Sequence, residues 1–257
     1  MIVLRPRRSL HHVEGGWFNA NWHFSFDDYE DPQNTWFGDL RVFNDDRLIP
    51  GAAWPMHPHR DIEGITYVAK GTFEHADSRG NGGILPPGSI QRATLGSGMQ
   101  HSERNGSKSE PMRFIQMWII PARRGLEPSV EQRSFAEVER QGRLLPVIVP
   151  AKGYGGADAP ANASAVTVHQ DAAVYAALLA AGQAVTHRFR AGFDGYLFVV
   201  YGDLALETAG GKGEVDAGGA AKIIAEPEAT MRAGSAGAEL LLVETRQDPV
   251  ARDQAAR

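Results

Sequence analysis

Two short pairs of potential metal ligands lie within one stretch of the chain that is punctuated by glycine and proline, residues 51–105. The pairs are His57 with His59, and His101 with Glu103. Members of a pair are two residues apart, and in an extended strand such residues share a face because successive side chains alternate. Pro58 disfavours a helical conformation at His57. We therefore predict that the four side chains lie on strands and converge on one cation.

The chain contains no cysteine, so any metal must be held by nitrogen and oxygen ligands and no disulfide can form. Three imidazoles and one carboxylate suit iron, manganese, cobalt, nickel, copper or zinc. An octahedral ion held by four protein ligands keeps positions open for a substrate, which favours a reactive site over a structural one. We predict one bound divalent metal ion.

The composition bounds the class of protein. The 257 residues carry a net charge of −5, which argues against a partner nucleic acid held through its phosphates. No apolar run approaches the roughly 18 residues that a membrane span needs, and the first residues lack the apolar core of a secretion signal. We expect a cytoplasmic monomer that does not bind membranes.

Many glycines and prolines separate short runs of alternating apolar residues, which predicts an all-β fold. The segment Gly195–Asp203 parallels Gly64–Thr72 at an offset of 131 residues, and this offset maps His59 onto Arg190. We interpret the echo as a duplicated barrel in which only the first copy keeps a metal site. The predicted units are residues 1–125, a barrel with the metal site; 126–150, a linker; 151–246, a degenerate barrel; and 247–257, a polar tail.

Several motifs in the first half resemble the pirin family of the cupin superfamily, and most closely its bacterial quercetin dioxygenases. They are Met56–Glu63, Thr66–Val68 with Gly71, Phe73–His75, Asp77–Asn81, Pro87–Gln91 and Gly98–Glu103. The resemblance implies two tandem cupin barrels, also called double-stranded β-helices or jelly rolls, in a bicupin. It implies that the metal ligands are His57, His59, His101 and Glu103.

The resemblance also implies an activity, the 2,4-dioxygenation of flavonols such as quercetin with release of carbon monoxide. The expected partners are then a small aromatic substrate and O₂, with Fe(II) as the favoured metal and Mn, Co, Ni, Cu or Zn as alternatives. Glu103 is the predicted catalytic residue, because a carboxylate at the metal can take the proton of the substrate hydroxyl. Two alternatives stay open: a metal-binding regulatory protein, and a cupin isomerase or hydrolase.

Other polar residues receive less specific predictions. Glu63 is the rival carboxylate, because it shares strand parity with His57 and His59, but an extended chain places it roughly 13 Å beyond His59. We predict that Glu63 is not a ligand but either a pocket residue or a residue that supports the ligands. His23 and His75 are predicted as exposed strand residues. The run 44–47 is predicted as a turn, and residues 121–135 as part of a crossing segment.

Overall fold

The structure is a computed structural model that describes residues 1–247. The predicted polar tail therefore lies, except for its first residue, outside the described part of the chain. Within that part the predicted all-β fold is confirmed: strands dominate, with one 3₁₀ helix at Arg7–Ser9 and one short helix, α1, at Glu137–Arg140. None of the helices in residues 1–247 has the length and hydropathy needed to cross a membrane.

The strands are numbered in chain order. They are β1 (Ile2–Arg5), β2 (His11–Glu14), β3 (Phe18–Trp22), β4 (Leu40–Leu48), β5 (Ala53–His59), β6 (Glu63–Lys70), β7 (Phe73–Asp77), β8 (Gly82–Leu85), β9 (Ser89–Thr94), β10 (Met99–Asn105), β11 (Met112–Ile119), β12 (Ser129–Ser134), β13 (Leu145–Pro150), β14 (Val166–Val168), β15 (Ala173–Leu179), β16 (Ala184–Arg188), β17 (Phe193–Thr208), β18 (Gly211–Asp216), β19 (Ala220–Ile223) and β20 (Glu228–Arg246).

The first barrel consists of two sheets. A seven-stranded sheet has the order β12-β9-β6-β11-β4-β3-β2, and a four-stranded sheet has the order β5-β10-β7-β8. Apolar residues from both sheets form one buried cluster, with Leu48 and Phe114 from the larger sheet and Phe73 and Leu85 from the smaller. The two sheets therefore pack face to face and enclose the interior of the first barrel.

The second barrel is a single nine-stranded sheet with the backbone order β1-β19-β17-β20-β15-β13-β14, to which β16 and β18 are added through β20 and β17. Its long strands β17 and β20 pair along most of their length, with register shifts near Val199 and Gly202 that let the sheet bend. Leu197, Leu204 and Leu240 belong to the apolar cluster inside this barrel.

The two barrels pack through one shared core. Phe43, Ile115 and Met117 of the first barrel are buried in the same cluster as Tyr196 and Phe198 of the second. Because side chains alternate along a strand, the neighbouring positions on β4 and β11 must face the interior of the first barrel. This alternation places a row of polar and aromatic side chains on the inner wall, opposite β5 and β10.

Strand pairing crosses the predicted domain limits. β1, at the start of the chain, pairs with β19 in the sheet of the second barrel. Residues 126–150, predicted as a linker, do connect the barrels, but β12 pairs with β9 of the first barrel and β13 pairs with β15 of the second. Phe135 between them is buried in the shared core. The connection is thus part of both barrels.

The predicted turn at residues 44–47 is wrong, because these residues lie inside β4. Asn and Asp favour turns in general, but here the tertiary structure supplies partners for them. Asp45 accepts hydrogen bonds from Arg113 Nε at 2.7 Å and from Arg113 Nη2 at 3.0 Å. Asp45 is therefore an ion-paired residue of the strand, and Asp46 faces the opposite side.

The prediction that His23 is exposed is also wrong. β3 ends at Trp22, so the strand alternation no longer applies to His23, which is completely buried between the barrels. Its Nδ1 lies 2.7 Å from Tyr196 Oη, and its carbonyl oxygen accepts a hydrogen bond from Arg5 Nη1. Burial, with a contribution from the charge of Arg5, lowers the pKa of His23 well below its usual value. His23 thus serves the interface between barrels.

Candidate metal centre

The two ligand pairs lie on neighbouring antiparallel strands, as the spacing predicts. His57 and His59 end β5, and His101 of β10 is directly opposite His57. The register shifts between His101 and Glu103, so that Glu103 lies opposite Trp54. Such an irregularity changes the direction of a side chain relative to a regular strand. Strand pairing therefore brings the two histidines of β5 beside the histidine of β10.

Three imidazoles form a compact cluster. One ring nitrogen from each of His57, His59 and His101 lies within 4.8 Å of the others. His57 Nδ1 is 2.7 Å from the carbonyl oxygen of Pro55. A carbonyl can only accept, so Nδ1 carries the hydrogen and Nε2 keeps its lone pair for a metal.

The third imidazole, that of His101, has a buried nitrogen without a hydrogen-bond partner. His101 is 5% exposed, and its Nε2 is buried without a hydrogen-bond partner within residues 1–247. Buried polar atoms are nearly always paired, so an unpaired imidazole that clusters with two others fits a metal ligand. The three histidines therefore fit a divalent cation of the borderline class that imidazole prefers.

Electrostatics keep two of these rings ready to bind. Burial, followed by the neighbouring His57, lowers the pKa of His59 to about 4. Burial, followed by His57 and His59, lowers the pKa of His101 to about 3. Both rings are consequently neutral at neutral pH, and protons there do not compete with a metal for their lone pairs.

Glu103 lies beside the cluster in a dry environment. Its side chain is 4% exposed, and Gln116 Nε2 donates a hydrogen bond to Oε1 at 2.5 Å. Burial raises the pKa of Glu103 to about 7, although the hydrogen bond from Gln116 opposes the shift. A carboxyl with this pKa can exchange a proton near neutrality. Glu103 is not one of the three clustered side chains, and its role as a ligand stays a prediction.

A cavity of about 590 Å³ opens beside these residues. His57, His59 and Glu103 contribute to its wall. Aromatic side chains line much of the rest; they are Phe18, Trp22, Phe26, Trp54, Phe114 and Trp118. The volume falls in the range of small-molecule sites, and flat apolar walls suit a planar aromatic ligand.

Sequence reasoning missed two residues that shape this wall. Most of β11 is apolar, yet its Gln116 holds Glu103 and its Trp118 packs edge-on against His59 with ring centroids 4.8 Å apart. Alternation along β11 could have indicated them, because Gln116 is polar at an inward position between Phe114 and Trp118. Its partner could not be identified without the register between strands.

Glu63 lies outside the cavity, so its prediction as a pocket residue is wrong. Its Oε1 accepts a hydrogen bond from Thr94 Oγ1 at 2.8 Å, and its carboxylate also contacts the backbone nitrogen and Nδ1 of His169 in the second barrel. The strand parity with His59 fails because Asp61 has a φ of 55° and the chain turns there between β5 and β6. Glu63 thus joins the two barrels.

His75 is buried rather than exposed, which corrects the second histidine prediction. It lies on β7 opposite Glu103, and its ring centroid is 6.0 Å from that of His101. The side chain is 5% exposed because β7 is an interior strand of the four-stranded sheet. Desolvation lowers the pKa of His75, with Asp77 opposing the shift.

The second barrel carries an ion-pair network around the position to which His59 maps. Arg190 Nε donates to Glu244 Oε1 at 2.5 Å, and its Nη1 donates to Asp171 Oδ1 at 2.6 Å. His187 Nε2 lies 2.6 Å from the other oxygen of Glu244. Within residues 1–247 the three histidines of the first barrel are the only group of three or more His, Asp or Glu side chains that lie close enough together to hold a metal ion. In the second barrel the guanidinium of Arg190 therefore lies at the position that matches His59.

Proton release on metal binding tests whether Glu103 is a ligand. At about pH 6 Glu103, with its pKa of about 7, is largely protonated, and it must ionise to bind a cation. We expect the protein to release about one proton more than Glu103→Gln when Ni²⁺ is titrated in, and the difference to vanish near pH 8.5. Calorimetry in buffers of different ionisation enthalpy measures this release. Equal release by the two proteins at about pH 6 contradicts ligation by Glu103.

Both halves of the chain match known protein families. The family model described as Pirin matches residues 3–119, and the model described as the quercetinase C-terminal cupin domain matches residues 158–245. A "putative quercetin 2,3-dioxygenase" of Zymomonas mobilis is 39% identical over 223 residues, which cover 87% of this chain and 91% of that protein. The quercetin 2,3-dioxygenase of Escherichia coli K12 is 38% identical over 207 residues, with 80% and 84% covered.

Among solved structures, the nickel(II) complex of the bacterial pirin YhhW from Escherichia coli superposes with a TM-score of 0.85. The sequences are 33% identical, and the match covers 96% of this chain and 100% of that one. Matches of this extent span both barrels and include the strands that carry the three histidines. The chain is therefore a bicupin that belongs to the pirin family.

Proposed function

We propose that the protein is a metal-dependent dioxygenase that cleaves flavonols such as quercetin, with release of carbon monoxide. The metal is held by His57, His59, His101 and Glu103, and Fe(II) is the favoured ion, with Mn, Co, Ni, Cu and Zn as alternatives. The observation that carries the proposal is a cluster of three imidazoles beside an aromatic cavity, whose wall includes His57, His59 and the buried carboxyl of Glu103. The quercetin dioxygenase names of the relatives support the same reaction class.

The residues divide the chemical work. A divalent cation held by the histidines would supply Lewis acidity toward an enol or phenol oxygen. Glu103, at the wall of the cavity, accepts the proton that leaves the substrate hydroxyl, and the same carboxyl can return the proton to the product. Gln116 holds Oε1 in place, so the second carboxyl oxygen is oriented for this transfer. The aromatic walls hold the flavonol rings and exclude water.

An aerobic assay with metal-loaded protein tests the proposal. We expect the flavonol absorption band to disappear while O₂ is consumed and carbon monoxide is released in equimolar amounts. An oxygen electrode separates this reaction from an isomerase or hydrolase, which consumes no O₂. Protein loaded in turn with Fe, Mn, Co, Ni, Cu and Zn that leaves flavonols intact contradicts the proposal.

A further inference from the structure

The inner face of β4 presents oxygen acceptors to the cavity. Asn44 and Asp46 lie two residues apart on this face and both line the cavity, whereas Phe43 and Asp45 face the second barrel. The alternation of the strand therefore separates Asp45, which is ion-paired, from Asp46, which faces the cavity. This separation explains why adjacent aspartates have different surroundings.

Asp46 is buried without a partner. Its residue is 4% exposed, and no hydrogen bond or ion pair to its carboxyl occurs within residues 1–247, whereas Asp45 is held by Arg113 and Arg47. Asn44 Oδ1 is likewise buried and unpaired in this part of the chain. Buried acceptors without partners are costly, so their persistence at a cavity wall indicates a ligand that brings its own donors.

The strand register places Asp46 farther along the cavity wall than Gln116, which contacts Glu103. On β11, Gln116 pairs with Asn44 and Phe114 pairs with Asp46. Gln116 contacts Glu103, so Asp46 is two strand positions, or about 7 Å, beyond the level of that contact. Asp46 is near enough to Glu103 for the two carboxyls to interact electrostatically, so we expect the hydroxyl that reaches Asp46 to be a second one, separate from the hydroxyl beside Glu103.

We propose that Asp46 is a specificity-determining residue that, with Asn44 beside it, accepts a hydrogen bond from a second hydroxyl of a polyhydroxylated planar aromatic substrate. The inference rests on the proposed function, which places the first hydroxyl at the histidine cluster. Phe114 lies beside Asp46 and offers its ring to the aromatic body of the same ligand. A site built to bind a hydroxyl rejects an analogue that lacks it, because the acceptor stays unpaired.

The test measures binding without turnover. Dissociation constants are determined anaerobically by quenching of tryptophan fluorescence, with Ni²⁺-loaded protein and two probes. Quercetin carries additional ring hydroxyls, and 3-hydroxyflavone carries only the hydroxyl next to the carbonyl. We expect the unaltered protein to bind quercetin about 10- to 100-fold more tightly than 3-hydroxyflavone, and Asp46→Ala to lose most of this preference. The affinity of Asp46→Ala for 3-hydroxyflavone should change by less than about threefold.

Two variants act as controls. Asp158→Asn removes an exposed carboxylate of the second barrel and should keep the full preference for quercetin. Asp46→Asn keeps an acceptor oxygen and should retain part of the preference. In metal-free protein Asp46→Asn should also raise the unfolding temperature by about 2 to 4 °C, because a buried unpaired carboxyl is removed. A purely structural role for Asp46 predicts a lower unfolding temperature instead.

The outcomes separate this inference from the proposed function. An unchanged preference in Asp46→Ala, or an equal loss of affinity for both probes, overturns the role of Asp46. Binding that depends on Asp46 without any release of carbon monoxide in air supports that role while it contradicts the dioxygenase. Protein that binds neither probe overturns the inference directly.

Discussion

Replacing His101 by alanine is expected to abolish stable metal binding and to lower flavonol turnover by at least about 10³-fold. His101 is the most buried of the three clustered histidines, and its Nε2 has no hydrogen-bond partner within residues 1–247. Removing it leaves the cluster with two imidazoles, and the other candidate ligand is Glu103, a carboxyl that is partly protonated at neutral pH. Metal content after dialysis and kcat/KM measure the two effects.

A matched control separates the loss of a ligand from a loss of fold. His12→Gln removes an exposed imidazole whose contacts are with Asn21 and Glu14, and it should leave metal content unchanged. His101→Asn keeps a polar side chain in the same place and should still fold, which thermal unfolding of metal-free protein verifies. Stoichiometric metal in His101→Ala contradicts the assignment of the centre.

The three clustered histidines could be predicted because their signal is local. Spacing of two residues, Pro58 and the flanking glycines determine the strand and its face without any knowledge of distant residues. The same reasoning failed for Glu63, because one residue with positive φ, Asp61, resets the alternation between two strands. Parity arguments therefore hold within a strand and do not extend through a turn.

The remaining wall of the cavity depends on pairing between strands that are far apart in sequence. Gln116 reaches Glu103 only because β11 lies between β4 and β6 in one sheet while β10 lies in the facing sheet. Asp46 carries a turn-like sequence context, and the ion pairs of its neighbour Asp45 with Arg113 keep the strand intact. Local propensity is overridden here by tertiary contacts.

The two-barrel architecture was predictable from the internal echo, but the exchange of β1 was not. β1 is short, and its burial pattern resembles that of any edge strand. Its position follows from pairing with β19, and the amino group of Met1 meets Glu226 in the same barrel. Nothing in the local sequence specifies a partner more than two hundred residues away.

Glu103→Gln is expected to lower kcat/KM for a flavonol by about 10²- to 10⁴-fold, because the amide cannot accept the proton of the substrate hydroxyl. The three histidines stay, so metal binding should weaken less than in His101→Ala. Metal titrations and initial rates in air measure both effects. Glu63→Gln is the matched control: its carboxylate contacts His169 and Thr94, so it should lower the unfolding temperature and change kcat/KM only slightly.

The pH dependence gives a second signature of the same group. In the unaltered protein we expect kcat/KM to rise with pH on an acid limb that Glu103→Gln lacks, because Glu103 must be ionised to act as the base. The effect of Glu103 on the stability of the fold changes with pH in the opposite direction. The pKa of Glu103 is raised in the folded state, so its contribution to stability is complete below its usual pKa and is lost as the pH rises through about 7.

In metal-free protein, Glu103→Gln should therefore gain stability relative to the unaltered protein between about pH 5 and pH 8. Chemical denaturation across this range, at fixed ionic strength, measures the difference. Opposite signs for activity and stability identify a carboxyl that is kept buried for its chemistry. If both quantities fall together in Glu103→Gln across this range, Glu103 is a structural residue and another group takes the proton.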